Sequence, residues 1–230
     1  NAEKLGIDLS KVNIIALSHG HYDHTGGLPA ISTIAPSAKI FAHLGVTTRR
    51  FSFREDRARS IGITSSVLKV LENHPGKVHW ISKHENLTSN IGLTGEVPRL
   101  TEYEDTGGLF FLDEQATQLD PISDDMSLWI LSKEGLIVIA GCSHSGIINT
   151  LKYIMEISGE RRLHMVLGGF HLVEADDEKT KQTILDLKKL NPNLLVPCHC
   201  TGDSAVEKLK CNFGDRVVQG EVGAVFEIEI

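Results

Sequence analysis

The fold of this chain is decided by the stretch Leu17-Ser18-His19-Gly20-His21-Tyr22-Asp23-His24-Thr25-Gly26-Gly27-Leu28, which holds three imidazoles and a carboxylate. Residues 12–17, at its start, form a short apolar run with β-branched members, which predicts a buried strand. The glycines behind the histidines predict a turn into a helix. The polar side chains are therefore expected on a loop at the carboxyl end of a strand, which is where α/β proteins bind ligands.

The residue types of this loop suit divalent metal ions. Neutral imidazole binds zinc, iron, nickel or manganese, and a carboxylate neutralises part of the charge of a second cation. His19 and His21 alternate along the chain, so in an extended loop both can point to one side and bind one ion. Asp23 and His24 follow after a bend and can face a neighbouring ion. The alternative is a surface cluster of histidines without a ligand, which the position directly after an apolar strand disfavours.

Length and composition limit the classes of protein to which this chain can belong. The 230 residues fit one large α/β domain or two small ones, and we expect a single domain over residues 1–230. A net charge of -7 argues against binding to nucleic acid or anionic membranes, because both attract cationic surfaces. No apolar run approaches the roughly 20 residues that span a bilayer. The four cysteines do not form the pattern of a disulfide framework, which favours a cytoplasmic, reducing compartment.

Regular elements can be predicted along much of the chain. Pro29 suits the first turn of a helix at residues 28–34. Periodicity and turn signals further predict a short helix at residues 1–11, strands at 38–43, 78–81, 107–113, 165–167, 194–196 and 223–230, a hairpin of 128–132 and 136–140, and helices that begin near residues 145, 177 and 203. From residue 127 onward the pattern is regular.

Each of three successive strand-to-helix junctions in the second half of the chain carries one histidine. These residues are His144, His171 and His199. One histidine at a strand end is weak support for a ligand, but three of them in a chain that also has the loop at residues 19–24 indicate a metal centre. We expect the three junctions and the loop to converge at one end of the sheets.

Residues 49–59 form a cationic segment in an otherwise acidic chain, with five arginines and two phenylalanines. Arginine makes bidentate contacts with phosphate and carboxylate groups, so this segment is a candidate binding surface for an anionic substrate. The alternative is a solvated surface segment without a ligand. The candidate substrate contacts are Arg49, Arg50 and Arg54, together with Arg99 farther along the chain.

The pattern His-x-His-x-Asp-His at residues 19–24 resembles the signature of the metallo-β-lactamase superfamily. Five further segments occur with it: TGEVPR at 94–99, DDMSL at 124–128, GCSH at 141–144, GGFHL at 168–172 and PCHCTG at 197–202. Together they resemble the subgroup related to the archaeal dihydropterin ribofuranosylaminobenzene 5′-phosphate synthase. The resemblance implies a four-layer αβ/βα sandwich of metal-dependent enzymes. Because members carry several strands before the loop, it also implies that the amino-terminal strands are missing from this chain.

The resemblance further implies a ligand set for two divalent metal ions, with zinc as the first choice and manganese, iron or nickel as alternatives. One ion would be bound by His19, His21 and His144, and the other by Asp23, His24 and His199. A water held between the two ions would lose its proton near neutral pH and become the nucleophile.

One departure from the superfamily pattern concerns the junction after Gly141. Most members place a bridging aspartate there, whereas this chain has Cys142. His144 could substitute from that junction, Asp125 could reach in, or the bridge could be solvent alone. Ligation by Cys142 itself would require a thiolate. Asp125 and Cys142 are therefore candidate additional ligands.

Two further groups of residues accompany the predicted ligands. His171 is either a ligand or an acid or base that faces the substrate, and Asp23 is counted with it as a catalytic candidate. Cys198 and Cys200 flank His199 and would point away from it in an extended chain, so we interpret both cysteines as packing residues.

Three functions are compatible with such a centre. The first, which we favour, is a dinuclear hydrolase of a small phosphorylated or ester substrate. The second is a synthase that joins a dihydropterin to an aminobenzene ribose phosphate, with metal ions that bind the leaving pyrophosphate. The third is a sensor that binds a ligand at the metal site without turnover. A small anionic substrate is expected for both enzymes, and formation of a homo-oligomer is left open.

Overall fold

The computed structural model describes residues 1–55 and 57–230, and for Arg54 it describes the backbone alone. The predicted substrate contact of the Arg54 side chain therefore lies outside the described residues. Along the chain the strands and α-helices are β1 (Ile14–Ala16), α1 (Tyr22–Thr25), α2 (Leu28–Ile34), β2 (Lys39–Ala42), β3 (Phe51–Arg54), β4 (Arg57–Ser60), α3 (Ser65–Asn73), β5 (Val78–Trp80), β6 (Glu85–Asn86), β7 (Ile91–Leu93), β8 (Phe110–Phe111), β9 (Leu128–Ser132), β10 (Gly135–Ala140), α4 (Ile147–Ser158), β11 (Leu163–Gly168), α5 (Asp177–Leu190), β12 (Leu194–Pro197) and α6 (Asp203–Phe213).

The chain forms two compact units, of which the first comprises Asn1–Ser82 and Leu109–Asp124. It contains a parallel sheet of order β1-β2-β5 and an antiparallel sheet of order β4-β3-β8. Apolar side chains of α2, α3 and the parallel sheet share one core, formed by Leu17, Leu28, Ile40, Ala42, Val46, Val67 and Leu71. This packing fixes the end of β1, from which the histidine-rich loop departs.

The second unit comprises Lys83–Gly108 and Asp125–Ile230. Its six-stranded sheet has the order β12-β11-β10-β9-β7-β6, in which β10, β11 and β12 are parallel neighbours. Leu136 and Val138 pack in a large core with residues of α4, α5 and α6. Ile137, between them in sequence, packs in a separate cluster with Met165, as expected for side chains that alternate across a strand.

Many of the predicted elements are confirmed. The helix at residues 28–34 is α2, the predicted hairpin is β9 and β10, and the charged helix from residue 177 is α5. Asp176 caps α5 by accepting a hydrogen bond from the Lys179 amide, and Asn191 ends the helix in the left-handed conformation at φ 51°. Within residues 1–55 and 57–230, no helix combines the length and apolar character needed to cross a bilayer.

Predictions at both ends of the chain are wrong. Residues 1–11 form two 3-10 turns, Glu3–Leu5 and Leu9–Lys11, because Gly6 adopts the left-handed conformation at φ 68° between them. Residues 223–230 form no strand, although Phe226 and Ile228 pack against the sheet cluster around Ile137. The apolar alternation of this segment is therefore satisfied by packing onto the sheet instead of by strand pairing.

Three further features differ from the sequence prediction. Strand β1 was predicted to be buried, but its residues are half-buried or exposed because the strand lies at the edge of its sheet. Helix α4, predicted to begin near residue 145, begins at Ile147 after Gly146 at φ 93°. Helix α3 and the β3–β4 hairpin were not predicted, since the arginines of that hairpin mask its alternation.

Candidate metal centre

The histidine-rich loop of the first unit is held by a glycine that has no room for a side chain. A Cβ at Gly20 would lie 2.3 Å from the Val46 carbonyl oxygen and 2.5 Å from Nη1 of Arg50. The Gly20 amide donates a hydrogen bond of 2.8 Å to Oδ2 of the buried Asp124. This close contact fixes the backbone between His19 and His21.

The two imidazoles that flank Gly20 have the geometry of paired metal ligands. His19 and His21 are 0% and 6% exposed, and Nε2 of His19 lies 3.0 Å from Nδ1 of His21. In a tetrahedral zinc site with bonds of about 2.0–2.1 Å, neighbouring nitrogen atoms lie roughly 3.3 Å apart. The two ring nitrogens therefore fit one divalent ion with little movement.

Asp23 and His24 lie close to the paired imidazoles. Both residues lie in the short helix α1, which begins directly after His21. Oδ2 of Asp23 is 3.6 Å from Nε2 of His24, and the rings of His24 and His19 have their centroids 4.2 Å apart. The structure thus brings His19, His21, Asp23 and His24 together.

The arginine-rich segment divides into an exposed and a buried part. Arg49 is exposed and forms an ion pair of 3.1 Å with Glu114. Arg50 is 2% exposed, and its guanidinium donates to carboxylate oxygens of Asp120 and Asp124. These carboxylates engage Nε, Nη1 and Nη2 of Arg50, which argues against a substrate contact by this residue.

In the second unit, three strand ends carry the remaining predicted residues. Strands β10, β11 and β12 are parallel neighbours, so their carboxyl ends lie at one edge of the sheet. Ser143, His171 and His199 follow these strands with φ values of 56°, 46° and 51°. Left-handed residues other than glycine are uncommon and concentrate at functional sites. The backbone of all three junctions is therefore sharply turned where ligands are predicted.

His144 is buried, and its orientation is fixed by a backbone carbonyl. Nδ1 of His144 lies 2.7 Å from the carbonyl oxygen of Thr106. Because a carbonyl can only accept a hydrogen bond, Nδ1 carries a proton, and in the neutral imidazole Nε2 then carries the lone pair. Metal-binding histidines are usually oriented in this way by their second nitrogen. His144 thus fits the ligand role predicted from the sequence.

A segment at residues 99–108, which we call the strap, holds Thr106 in place. Arg99 Nη1 donates to the His144 carbonyl at 2.7 Å, so the predicted substrate contact Arg99 lies beside a predicted ligand. Asn149 Oδ1 accepts hydrogen bonds from the amides of Leu100 and Thr101 at 3.0 and 2.9 Å. The Glu104 carboxylate accepts hydrogen bonds from the amides of Ile148 and Asn149, both at 2.8 Å. The strap is thereby hydrogen-bonded to the first turn of α4.

Burial raises the pKa of the Glu104 carboxyl from its ordinary value of 4.5 to about 7, although the two amides of α4 favour its ionised form. The folded state therefore binds more protons than the unfolded state between these pH values, so stability should fall as pH rises through this range. We expect Glu104→Gln to remove this pH-dependent loss in the free energy of unfolding, which is on the order of 3 kcal/mol in the wild type. Unfolding free energies of both proteins from pH 4.5 to 8 test this, with the exposed Glu102→Gln as the control. Parallel pH profiles of wild type and Glu104→Gln would contradict the prediction.

The strap also packs on His171 through Gly107, at φ 81°. A Cβ there would lie 2.1 Å from Cδ2 of His171. We expect Gly107→Ala to displace the imidazole and to shift its NMR resonances. Gly159→Ala is the matched control. Gly159 has φ 72°, and apart from its two chain neighbours no atom of the described residues lies within 4 Å of an added Cβ, so this variant carries the backbone strain alone. Equal stability losses and an unmoved His171 signal in both variants would refute the packing role.

Cys200 has a different environment from the one predicted. Because His199 is left-handed and begins a 3-10 turn, the premise of an extended chain at Cys198 and Cys200 is wrong. The interpretation of the two cysteines as packing residues stays a prediction. Sγ of Cys200 lies 3.6 Å from the Cys142 carbonyl oxygen. A hydrogen bond from the Cys142 side chain to the Cys200 sulfur, aided by His171, lowers the pKa of the Cys200 thiol to about 4, although burial opposes this. The CHC spacing at 198–200 was the signal available in the sequence.

The other predicted residues of this unit are placed as follows. The His144 and His171 ring centroids lie 4.3 Å apart, and His199 is exposed after β12. Asp125 is buried, and its Oδ2 accepts the Ser145 amide at 2.8 Å. Cys142 is buried as well. Asp125 and Cys142 stay candidate ligands.

Buried imidazole pairs and histidines at the ends of parallel strands are typical of α/β metalloenzymes. Residues 1–199 match the family model of the metallo-beta-lactamase superfamily, and the chain belongs to this superfamily. Its members typically bind metal ions, and the predicted α/β fold of this superfamily is confirmed.

The chain is similar to two curated proteins of Methanocaldococcus jannaschii. It is 33% identical to 7,8-dihydropterin-6-methyl-4-(beta-D-ribofuranosyl)-aminobenzene-5'-phosphate synthase, over 96% of this chain and 78% of that protein. It is 34% identical to the uncharacterized protein MJ0448, over 98% of this chain and 80% of that protein. A crystal structure of Tm1679, described as a metal-dependent hydrolase of the beta-lactamase superfamily, matches with a TM-score of 0.84 and 31% identity, covering 100% of this chain and 84% of that one. The predicted subgroup resemblance is thereby confirmed.

Proposed function

We propose that this chain is a metal-dependent hydrolase of a small phosphorylated or ester substrate. The observation that carries the proposal is the buried pair of His19 and His21, whose facing ring nitrogens are 3.0 Å apart. Two buried imidazoles at this distance are suited to share one cation, and membership of a superfamily that typically binds metal ions supports this use. The description of the similar Tm1679 structure supports hydrolysis as the reaction.

The proposed ligand set is the one predicted from the sequence, with two divalent ions. We assign His19, His21 and His144 to one ion and Asp23, His24 and His199 to the other, with Asp125 and Cys142 as candidate additional ligands. The imidazole-rich set favours zinc, with manganese, iron or nickel as alternatives. When bound, such ions lower the pKa of a coordinated water and polarise the phosphoryl or carbonyl oxygen of a substrate.

The residues around the ligands have separate tasks in this proposal. The Thr106 carbonyl keeps the proton of His144 on Nδ1, so that Nε2 is directed to bind. His171, whose ring packs against that of His144, would donate a proton to the leaving group. Asp23 would accept a proton from the attacking water or hold it in orientation.

An exposed guanidinium would recognise the anionic part of the substrate. Arg99 is exposed at the His144 junction and is the first candidate for this contact. Arg49 is the second candidate, although its ion pair with Glu114 would have to open. Arg50 is left out of the substrate-binding set, because Asp120 and Asp124 already engage its buried guanidinium.

The first test is the metal content of protein purified without added metal or chelator, combined with turnover on panels of phosphoesters and esters. We expect close to two ions per chain, as assigned above, a lower content in His24→Ala and His199→Ala, and hydrolysis that chelation abolishes. The exposed His84→Ala is the matched control and should keep both properties. Two ions with tight ligand binding but no turnover would overturn hydrolysis in favour of a sensor.

A second candidate reaction has its own support. The identity of 33% to the archaeal synthase, over 96% of this chain, favours a condensation that releases pyrophosphate. The exposed arginines would then contact the phosphate of the aminobenzene substrate. Pyrophosphate release on mixing the dihydropterin and aminobenzene substrates, without hydrolysis of either one, would decide for the synthase.

We also propose that residues 1–230 act as a single domain of a cytoplasmic protein that takes a small anionic substrate. The four cysteines form no disulfide within the described part of the chain, which supports a reducing compartment. The net charge of -7 disfavours a nucleic-acid partner. Whether the chain forms a homo-oligomer can be measured by light scattering.

A further inference from the structure

A group of sulfur and nitrogen donors in the second unit has no common role in the function proposed above. Cys142, His171 and Cys200 each offer one ligand atom, and these atoms all lie within 4.8 Å of one another. Cys142 entered the proposed function as a candidate ligand and His171 as a proton donor, whereas Cys200 had no role. We call the three residues the thiol cluster.

The topology of the sheet explains why these donors meet. Each residue lies two or three positions beyond the end of one of the adjacent parallel strands β10, β11 and β12. The left-handed backbone of His171, and of His199 before Cys200, turns each junction back sharply. Because the cluster draws on three strand ends, its geometry is set by the sheet and not by one flexible loop.

Close packing further restricts the donors. A Cβ at Gly169 would lie 2.5 Å from Sγ of Cys200, so this sulfur fits against the chain only where glycine is present. The His171 ring is similarly in close contact with Gly107. Cys142 is 3% exposed, while Cys200 and His171 are half-buried. The cluster is thus a partly enclosed site.

We propose that Cys142, His171 and Cys200 form a binding site for a thiophilic divalent ion such as zinc, which shares Cys142 with the candidate additional ligands named above and takes His171 and Cys200 from outside the assigned imidazole and carboxylate set. Two thiolates and one imidazole are a known zinc ligand set, which leaves a fourth position for water or substrate. On binding, two sulfur–metal bonds form and the thiol protons that are displaced pass to solvent. If the proposed function holds, occupancy also withdraws His171 from proton transfer and lowers turnover.

Cobalt(II) is the probe for this site, because only sulfur ligands give intense thiolate-to-cobalt absorption in the near ultraviolet. The dependence of this absorption on Cys200 separates the site from the imidazole and carboxylate set. We expect metal-free protein titrated with cobalt to show this absorption. Cys200→Ser should reduce it by about half, since each sulfur–cobalt bond contributes, and Cys142→Ser/Cys200→Ser should abolish it. Cys211→Ser is the matched control, because Cys211 is exposed and outside the cluster.

The outcomes distinguish this inference from the proposed function. If Cys200→Ser and Cys200→Ala leave the thiolate absorption unchanged, the proposed site is overturned, because Cys142 would then bind cobalt without Cys200. Absence of the absorption, in protein that still takes up cobalt, would overturn it too. His19→Ala should lower the total cobalt bound and keep the thiolate absorption. Circular dichroism of each variant confirms that the comparison is made between folded proteins.

Discussion

Replacing Arg50 with methionine is expected to lower the free energy of unfolding by about 3–5 kcal/mol, because the change leaves two buried carboxylates without their cation. Asp120 and Asp124 are 4% and 1% exposed, and Arg50 is 2% exposed. Nε of Arg50 donates to Asp120 at 2.7 Å, and Nη1 donates to Asp124 at 2.9 Å. Although burial opposes it, pairing with the two carboxylates raises the pKa of Arg50, so the guanidinium stays charged.

The effect should extend from stability to the histidine-rich loop. Asp124 also accepts the Gly20 amide between the paired imidazoles, so a displaced Asp124 removes an anchor of that loop. We therefore expect Arg50→Met to weaken metal binding as well. Restoring neutrality in Arg50→Met/Asp120→Asn/Asp124→Asn should recover part of the stability, because asparagine can still accept a hydrogen bond from the Gly20 amide.

Urea unfolding monitored by circular dichroism measures the change, with constant slope m as the check that the transitions are comparable. Arg49→Met is the matched control, one residue away. Its side chain is 79% exposed in the pair with Glu114, so its removal should cost no more than about 1 kcal/mol. If Arg50→Met costs no more than Arg49→Met, the buried ion pairs do not stabilise the first unit.

Replacing His19 with alanine is expected to lower the affinity of the protein for the ion assigned to His19, His21 and His144 by more than about a hundredfold. Even the loss of an outer-shell partner of a metal ligand commonly costs 10–100-fold in affinity. His19 is fully buried, and its Nε2 faces Nδ1 of His21 at 3.0 Å. Another nitrogen could take its place only if the loop moved, and Gly20 is closely packed against Val46.

Competition with a chelator of known affinity measures this effect for wild type, His19→Ala and the exposed control His84→Ala. Unfolding of the metal-free proteins separates lost ligation from lost packing, because an imidazole that acts only in the core would change stability and leave ion affinity intact. An unchanged affinity in a folded His19→Ala protein would remove His19 from the proposed ligand set. The assignment of His21 and His144 would then have to be revised with it.

The sequence was informative wherever the signal is local. Helix α5 was predicted from about residue 177 to residue 190 because its pattern and the proline that follows it lie within a few residues of it. The hairpin of β9 and β10 was likewise evident from two apolar runs separated by a short glycine turn. Four donors within residues 19–24 indicated a metal centre, since no tertiary contact is needed to bring them near one another.

Local pattern failed where a neighbour decides the outcome. Residues 223–230 alternate as a strand does, yet the segment packs onto the sheet without joining it. Arg50 has the same sequence environment as the exposed Arg49, and only its burial separates a structural cation from a surface one. The strap at 99–108 carried no motif that predicts a hydrogen bond to His144.

What the sequence by itself determined is therefore the family, the α/β class and the residue types of the candidate centre. Only the tertiary structure decided that Asp124 anchors Gly20 from 104 residues away, that Thr106 orients His144, and that Cys200 faces Cys142 and His171. The physical reason is that these contacts join residues far apart in the chain. Burial and the order of parallel strands select their partners, and neither property is encoded within a short window of sequence.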